Sequence, residues 1–142
     1  RASYRQEDLA RWRRRLNLPL PLEPAFYPVD REPASRLLVA ARTLGQDAAL
    51  ALSHALLRAI WVEDRNIADA ATLTAIANDA GLDGAVLMTA SREPAIYQAW
   101  QDDTDRAIAA QVFGAPTWVV VRPATVVVDR PETAVVVSPE AV

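Results

Sequence analysis

A helical pattern runs to Gly114 and gives way, within two residues, to Pro116 and then Thr117, Trp118, Val119, Val120 and Val121. Glycine ends helices because it enters the left-handed backbone region without a steric penalty, and β-branched and aromatic residues favour an extended chain. A fold built on this sequence must therefore pass from a helical layer to a sheet at one seam, which points to the α/β class. The Ala115–Pro116 bond at that seam is either an ordinary trans kink or a rarer cis turn.

Upstream of the seam the texture is helical. The first helix is expected over residues 6–16, with Glu7 and Asp8 in its first turn, Arg13, Arg14 and Arg15 in its last, and Leu9, Trp12 and Leu16 forming one apolar stripe. Four prolines between residues 17 and 28 forbid helix there and predict an extended connection. Asp30, Asp47, Asp69 and Asp83 each precede an apolar-periodic run and are expected to cap a helix, because a carboxylate accepts bonds from the unpaired amides of a first turn. The inward positions are Leu37, Leu38, Ala41 and Leu44 in the first of these helices and Leu52, Leu56 and Ile60 in the second. Leu73, Ile76 and Ala80 serve the third, and the fourth is short, ending near Met88. A longer helix starts near Pro94, a favoured first-turn residue, and is expected to reach Val112. Short linkers imply one bundle. Beyond Pro116, residues 117–121 and 124–128 read as a β-hairpin turning at Arg122 and Pro123, and the tail after Pro131 is open between helix and strand.

Composition narrows the chemistry. A chain of 142 residues that is 51% hydrophobic can bury one core. The absence of cysteine excludes disulfides, thiolate catalysis and cysteine metal sites from these residues. A net charge of −3 argues against nucleic acid as a bulk partner. No apolar run is long enough to span a bilayer, and the charged start has no apolar central region, so no signal peptide and a cytoplasmic location are expected. All 15 basic residues are arginine, a bias that fits a GC-rich bacterial genome.

Most pattern-based candidate sites reduce to structure. The segment from Arg11 to Arg15 reads as a solvated helix end with Trp12 turned inward, and His54 as a surface residue without a second ligand. Asp102, Asp103 and Asp105 lack the glycine and closing glutamate of a calcium loop. Trp61, Trp100, Trp118, Tyr27 and Tyr97 are candidates for lining a pocket, although aromatics in such patterns mostly serve the core. If the hairpin forms, the backbone at Ala115 and the carboxylate of Asp129 share one end of the sheet. That pairing suits an extended peptide-like ligand with an ammonium group, such as glutathione.

The stretch "VFGAPTWVV" resembles the loop and strand of thioredoxin-like proteins in which a cis-proline faces the redox or glutathione site. "SYRQEDLARWRRRLNLPL", "FYPVD", "ALLRAIWVEDRNIAD", "AGLDG" and "DTDRAIAAQVFGAPTWVV" occur in the order of the 2-hydroxychromene-2-carboxylate isomerases and kappa-class glutathione transferases. The resemblance implies a thioredoxin-like α/β fold of the DsbA and kappa-transferase type. Residues 1–29 would be a connecting helix and extended segment, 30–111 a helical insert domain, and 112–142 the C-terminal part of the thioredoxin-like domain with its hairpin. The first βα unit, which carries the family's catalytic serine, has no counterpart here, so the chain is expected to begin downstream of it and to hold no catalytic residue. By resemblance, Ala115, Pro116, Val128 and Asp129 would bind glutathione, and Asp30, where the family loop tends to have asparagine, would touch substrate. The implied activity is glutathione-dependent isomerisation of 2-hydroxychromene-2-carboxylate or a similar aromatic-degradation intermediate, in a homodimer, without metal. In that mechanism the serine stabilises the glutathione thiolate, which adds to the substrate and leaves after bond rotation. Alternatives are a kappa-type glutathione transferase, a DsbA-like thiol oxidoreductase, which would need a cysteine pair, and a non-catalytic helical interaction module. The segment from Val121 to Val128 departs from the family by lacking its Gly-rich turn and the Trp-Gly before the aspartate.

Overall fold

The computed structural model describes residues 2–114, 117, 119 and 120. Six helices follow in order: α1 (Ala2–Leu16), α2 (Glu32–Arg42), α3 (Gln46–Trp61), α4 (Ala70–Asp79), α5 (Gly84–Ala90) and α6 (Pro94–Ala109). No strand forms among the described residues, and the expected hairpin lies almost wholly outside them. The chain divides into two compact units, Arg1–Trp100 and Gln101–Val142. Among the described residues no helix is long and apolar enough to cross a membrane.

In the first unit, α2, α3, α4 and α5 pack around one core. α2 lies against α3, α3 against α4, and α4 against α5. Leu37, Leu52, Leu73 and Ile76 are its fully buried large side chains, one or two from each of α2, α3 and α4. These are positions that helical spacing assigns inward, as are the buried Ala41, Leu56 and Ile60. Leu38 and Ala80 are half-buried, and Leu44 is the exception. α2 ends at Arg42, so Leu44 stands beyond the helix in the turn and is exposed.

The caps are only partly as expected. Asp69 accepts the amide of Thr72 at 2.7 Å and Asp83 that of Val86 at 3.0 Å, both from the N-cap position. Asp47 caps nothing: Gly45 takes the N-cap position at φ 122°, ψ 166°, a backbone open to glycine, and Asp47 falls inside the first turn. At α2 the N-cap position belongs to Arg31, yet Asp30 still supplies the carboxylate, accepting the Glu32 amide at 3.0 Å.

Three helices end in the same device. The amides of Asn17 and Leu18 return to the carbonyls of Arg14 and Arg13, those of Gly81 and Leu82 to Asn78 and Ala77, and those of Gln111 and Val112 to Ile108 and Ala107. Asn17, Gly81 and Gln111 take positive φ of 50°, 79° and 55°, which completes a Schellman motif at each end. α6 therefore stops at Ala109, and not at Val112 or Gly114, because Gln111 takes the left-handed position first.

α1 departs furthest from expectation. It begins at Ala2, which moves Glu7 and Asp8 out of the first turn. Its stripe is not buried: Leu9, Trp12 and Leu16 are exposed, and the Arg15 guanidinium lies over the Trp12 ring at 5.4 Å. The connection after α1 is non-helical, as its prolines require, and its Tyr27–Pro28 bond is cis. It is tied down where the Ala25 amide donates to Asp64 Oδ1 at 2.7 Å and the Tyr27 ring meets Trp61 at 5.0 Å.

Candidate functional site

The start of α2 is where charge, an aromatic face and a cavity coincide. Glu32 and Pro33 open the helix, with the acid in the first turn, where the macrodipole favours negative charge. Asp30, just outside the helix, is held by its bond to the Glu32 amide, so its carboxylate sits at the helix entrance in a defined place. One turn on, Ser35 donates its amide to the Arg31 carbonyl at 2.9 Å. Asp30, Arg31, Glu32 and Ser35, together with Trp100 from α6, line a cavity of about 380 Å³. Asp30 and Arg31 are exposed at its rim, whereas Glu32, Ser35 and Trp100 are half-buried. That volume lies within the range of small-molecule sites, which is roughly 300–1,000 Å³.

The cavity offers two carboxylate acceptors, a guanidinium and a hydroxyl donor, and one indole face. Such a set can orient a small polar molecule that carries a flat or unsaturated part. Neither lysine nor histidine lines the cavity, since the chain has no lysine and His54, its one histidine, sits exposed on α3, so the carboxylates of Asp30 and Glu32 are its proton acceptors. These five residues can bind and orient a ligand, and the two carboxylates can also accept a proton from it. A second hollow, of about 550 Å³, lies between α2 and α3 and is lined by Leu38, Ala49 and Leu50 together with Arg42, Gln46 and Ser53.

Of the residues singled out by sequence, Asp30 and Trp100 share this cavity. Tyr97 packs against Trp100 at a tilt, with ring centroids 5.7 Å apart, while Tyr27 and Trp61 pair with each other. Ala115, Pro116, Trp118, Val128 and Asp129 lie outside the described residues, and so does the cis or trans state of the Ala115–Pro116 bond. The sequence pattern does not single out Arg31, Glu32 or Ser35. Their signal was the charged pair directly before Pro33, at a helix start already marked by Asp30. Asp103 pairs with Arg106 within α6, and among the described residues no acidic, histidine or cysteine cluster comes together to hold a metal ion.

Electrostatics elsewhere serve structure. The Arg58 guanidinium, bonded to Glu63 at 2.7 Å, holds that carboxyl below its ordinary pKa, with Arg65 at 3.4 Å adding to the effect against partial desolvation. The Thr72 amide does the same for Asp69, aided by the Thr72 side chain.

No curated protein and no solved structure matches the chain significantly. The sequence profile of the DSBA-like thioredoxin domain matches residues 1–135, nearly the full length. That match takes in the bundle, the cavity at the head of α2 and the segment beyond Gly114, and on it the chain belongs to the DSBA-like thioredoxin domain family.

Proposed function

We propose that this chain belongs to a glutathione-dependent isomerase acting on 2-hydroxychromene-2-carboxylate or a similar aromatic-degradation intermediate, working as a cytoplasmic homodimer. Within it, the cavity at the head of α2 receives the substrate. The observation that carries this reading is the convergence of Asp30, Arg31, Ser35 and Trp100 on one small cavity in a member of the DSBA-like family. Arg31 suits a carboxylate, Trp100 a flat ring, and Asp30 a hydroxyl donor. Glutathione supplies the thiol nucleophile, for which the cysteine-free chain has no substitute of its own. Ala115, Pro116, Val128 and Asp129 are the residues proposed to hold it, through backbone pairing and the Asp129 carboxylate. The same cavity serves a kappa-type transferase, which activity on chloronitrobenzene electrophiles would distinguish. Thiol–disulfide exchange by this chain's own residues is excluded by the lack of cysteine.

Calorimetric titration tests the assignment. Asp129→Ala should lose glutathione affinity, while Asp30→Ala should keep it and weaken only the aromatic substrate. Unchanged glutathione affinity in Asp129→Ala would remove Asp129 from the site.

A non-catalytic helical interaction module is the second reading, favoured by the exposed Leu9, Trp12 and Leu16 stripe on α1. Surface stripes of this kind mark docking faces when they are contiguous. Glutathione would then leave thermal unfolding unchanged.

A further inference from the structure

The cavity at the head of α2 has walls from two helices that the core does not lock together. Glu32 and Ser35 stand on α2, whose inner face is deeply buried, whereas Trp100 stands on α6, which has no fully buried residue. Ile96, at the start of α6, is only partly buried against the core. Side chains between the two helices therefore bear on the place of Trp100 relative to Glu32. One of them touches both walls. Arg36 approaches Glu32 one turn away on α2, with Nη1 to Oε1 at 3.6 Å, and its guanidinium carbon lies 5.9 Å from the centre of the Tyr97 ring. Tyr97 in turn packs on Trp100 at 5.7 Å and an interplanar angle of 49°.

We propose that Arg36 is a positioning residue for this cavity: it holds the Trp100 wall against the Glu32 wall through Tyr97, and so sets the width available to a flat ligand. The role fits arginine in particular. A planar guanidinium presents a face to the tyrosine ring and an edge to the carboxylate at once, which a lysine ammonium cannot do. Its side chain is 25% exposed, and Nε of its guanidinium is buried. The significance of the width rests on reading the cavity as the substrate site, but the arrangement itself can be tested with no ligand present.

The test is fluorine NMR of the full chain labelled with 5-fluorotryptophan, with the Trp100 resonance assigned by its loss in Trp100→Phe. Arg36→Met keeps the stem and removes the guanidinium. It is expected to shift and broaden the Trp100 resonance while leaving those of Trp12 and Trp61 in place. Arg36→Lys should restore it only in part, and Tyr97→Leu should reproduce the Arg36→Met change with Arg36 intact. An unchanged Trp100 resonance in Arg36→Met overturns the proposal. So does an equal disturbance at Trp61, which would mean general loosening. Failure of glutathione to bind would sink the functional reading and leave this result standing.

Discussion

A β-carbon placed on Gly84 would stand 2.3 Å from the carbonyl oxygen of Thr74 and 2.9 Å from Oδ1 of Asn78. The first turn of α5 thus lies directly on the backbone of α4, and the Gly84 amide uses the contact by donating to Asn78 Oδ1 at 2.9 Å. Since the nearest obstacle is backbone, it cannot swing away. Gly84→Ala is expected to cost about 1–3 kcal/mol, as overpacking does, measured by urea denaturation.

The aspartates at helix starts should separate into two kinds. Asp83 bonds a first-turn amide from the cap position, so Asp83→Ala should cost about 1 kcal/mol. Asp47 lies inside the first turn of α3 and interacts with the helix dipole alone. Asp47→Ala should cost only about 0.3 kcal/mol, and the pair of denaturation midpoints tests the distinction.

The core and the turn leucines differ in the same way. Leu73 is fully buried, and Leu73→Ala should cost roughly 2–5 kcal/mol through lost transfer energy and the cavity left behind. Leu44 is 60% exposed, and its truncation should stay within about 0.5 kcal/mol.

Acid should weaken the bundle in a defined window. Arg58 holds Glu63 below its ordinary 4.5, and the Thr72 amide holds Asp69 below 3.8. A carboxyl with a depressed pKa in the folded state stabilises fully above its unfolded value and loses that contribution as pH falls through the folded one. Both contributions are therefore intact at neutral pH and fade below about pH 4.5, Glu63 first. In Asp69→Asn the fall in melting temperature on acidification from about pH 5 to about pH 2 should be shallower than in the unaltered protein.

How much of this was legible in the sequence depends on the scale of the interaction involved. Spacing alone places Leu37, Leu52, Leu73 and Ile76 inward, because one periodic face settles a helix packed between others. The caps at Asp69 and Asp83 were legible for a local reason, a carboxylate within reach of its own first turn. What failed was decided at single residues. Gln111 takes a left-handed conformation unusual for its type and stops α6 short of Gly114, where glycine had been the natural choice. Gly45 displaces Asp47 as a cap for the same kind of reason. The stripe on α1 is periodic, but periodicity states only that a face exists; it does not supply the partner that would cover Trp12. In the site, Asp30 was reached through the "FYPVD" resemblance and Trp100 through its chemistry, but their meeting joins residues 70 positions apart and is a product of tertiary packing.

Thermal unfolding of the full chain in rising concentrations of reduced glutathione is the most direct test of the proposed function. A ligand that binds the native state alone stabilises it by about 2.7 kcal/mol at 100 times its dissociation constant. The expected result is a melting temperature that climbs with glutathione and does so less in Asp129→Ala. A melting temperature that stays flat through millimolar glutathione would contradict the glutathione assignment and leave the helical interaction module in its place.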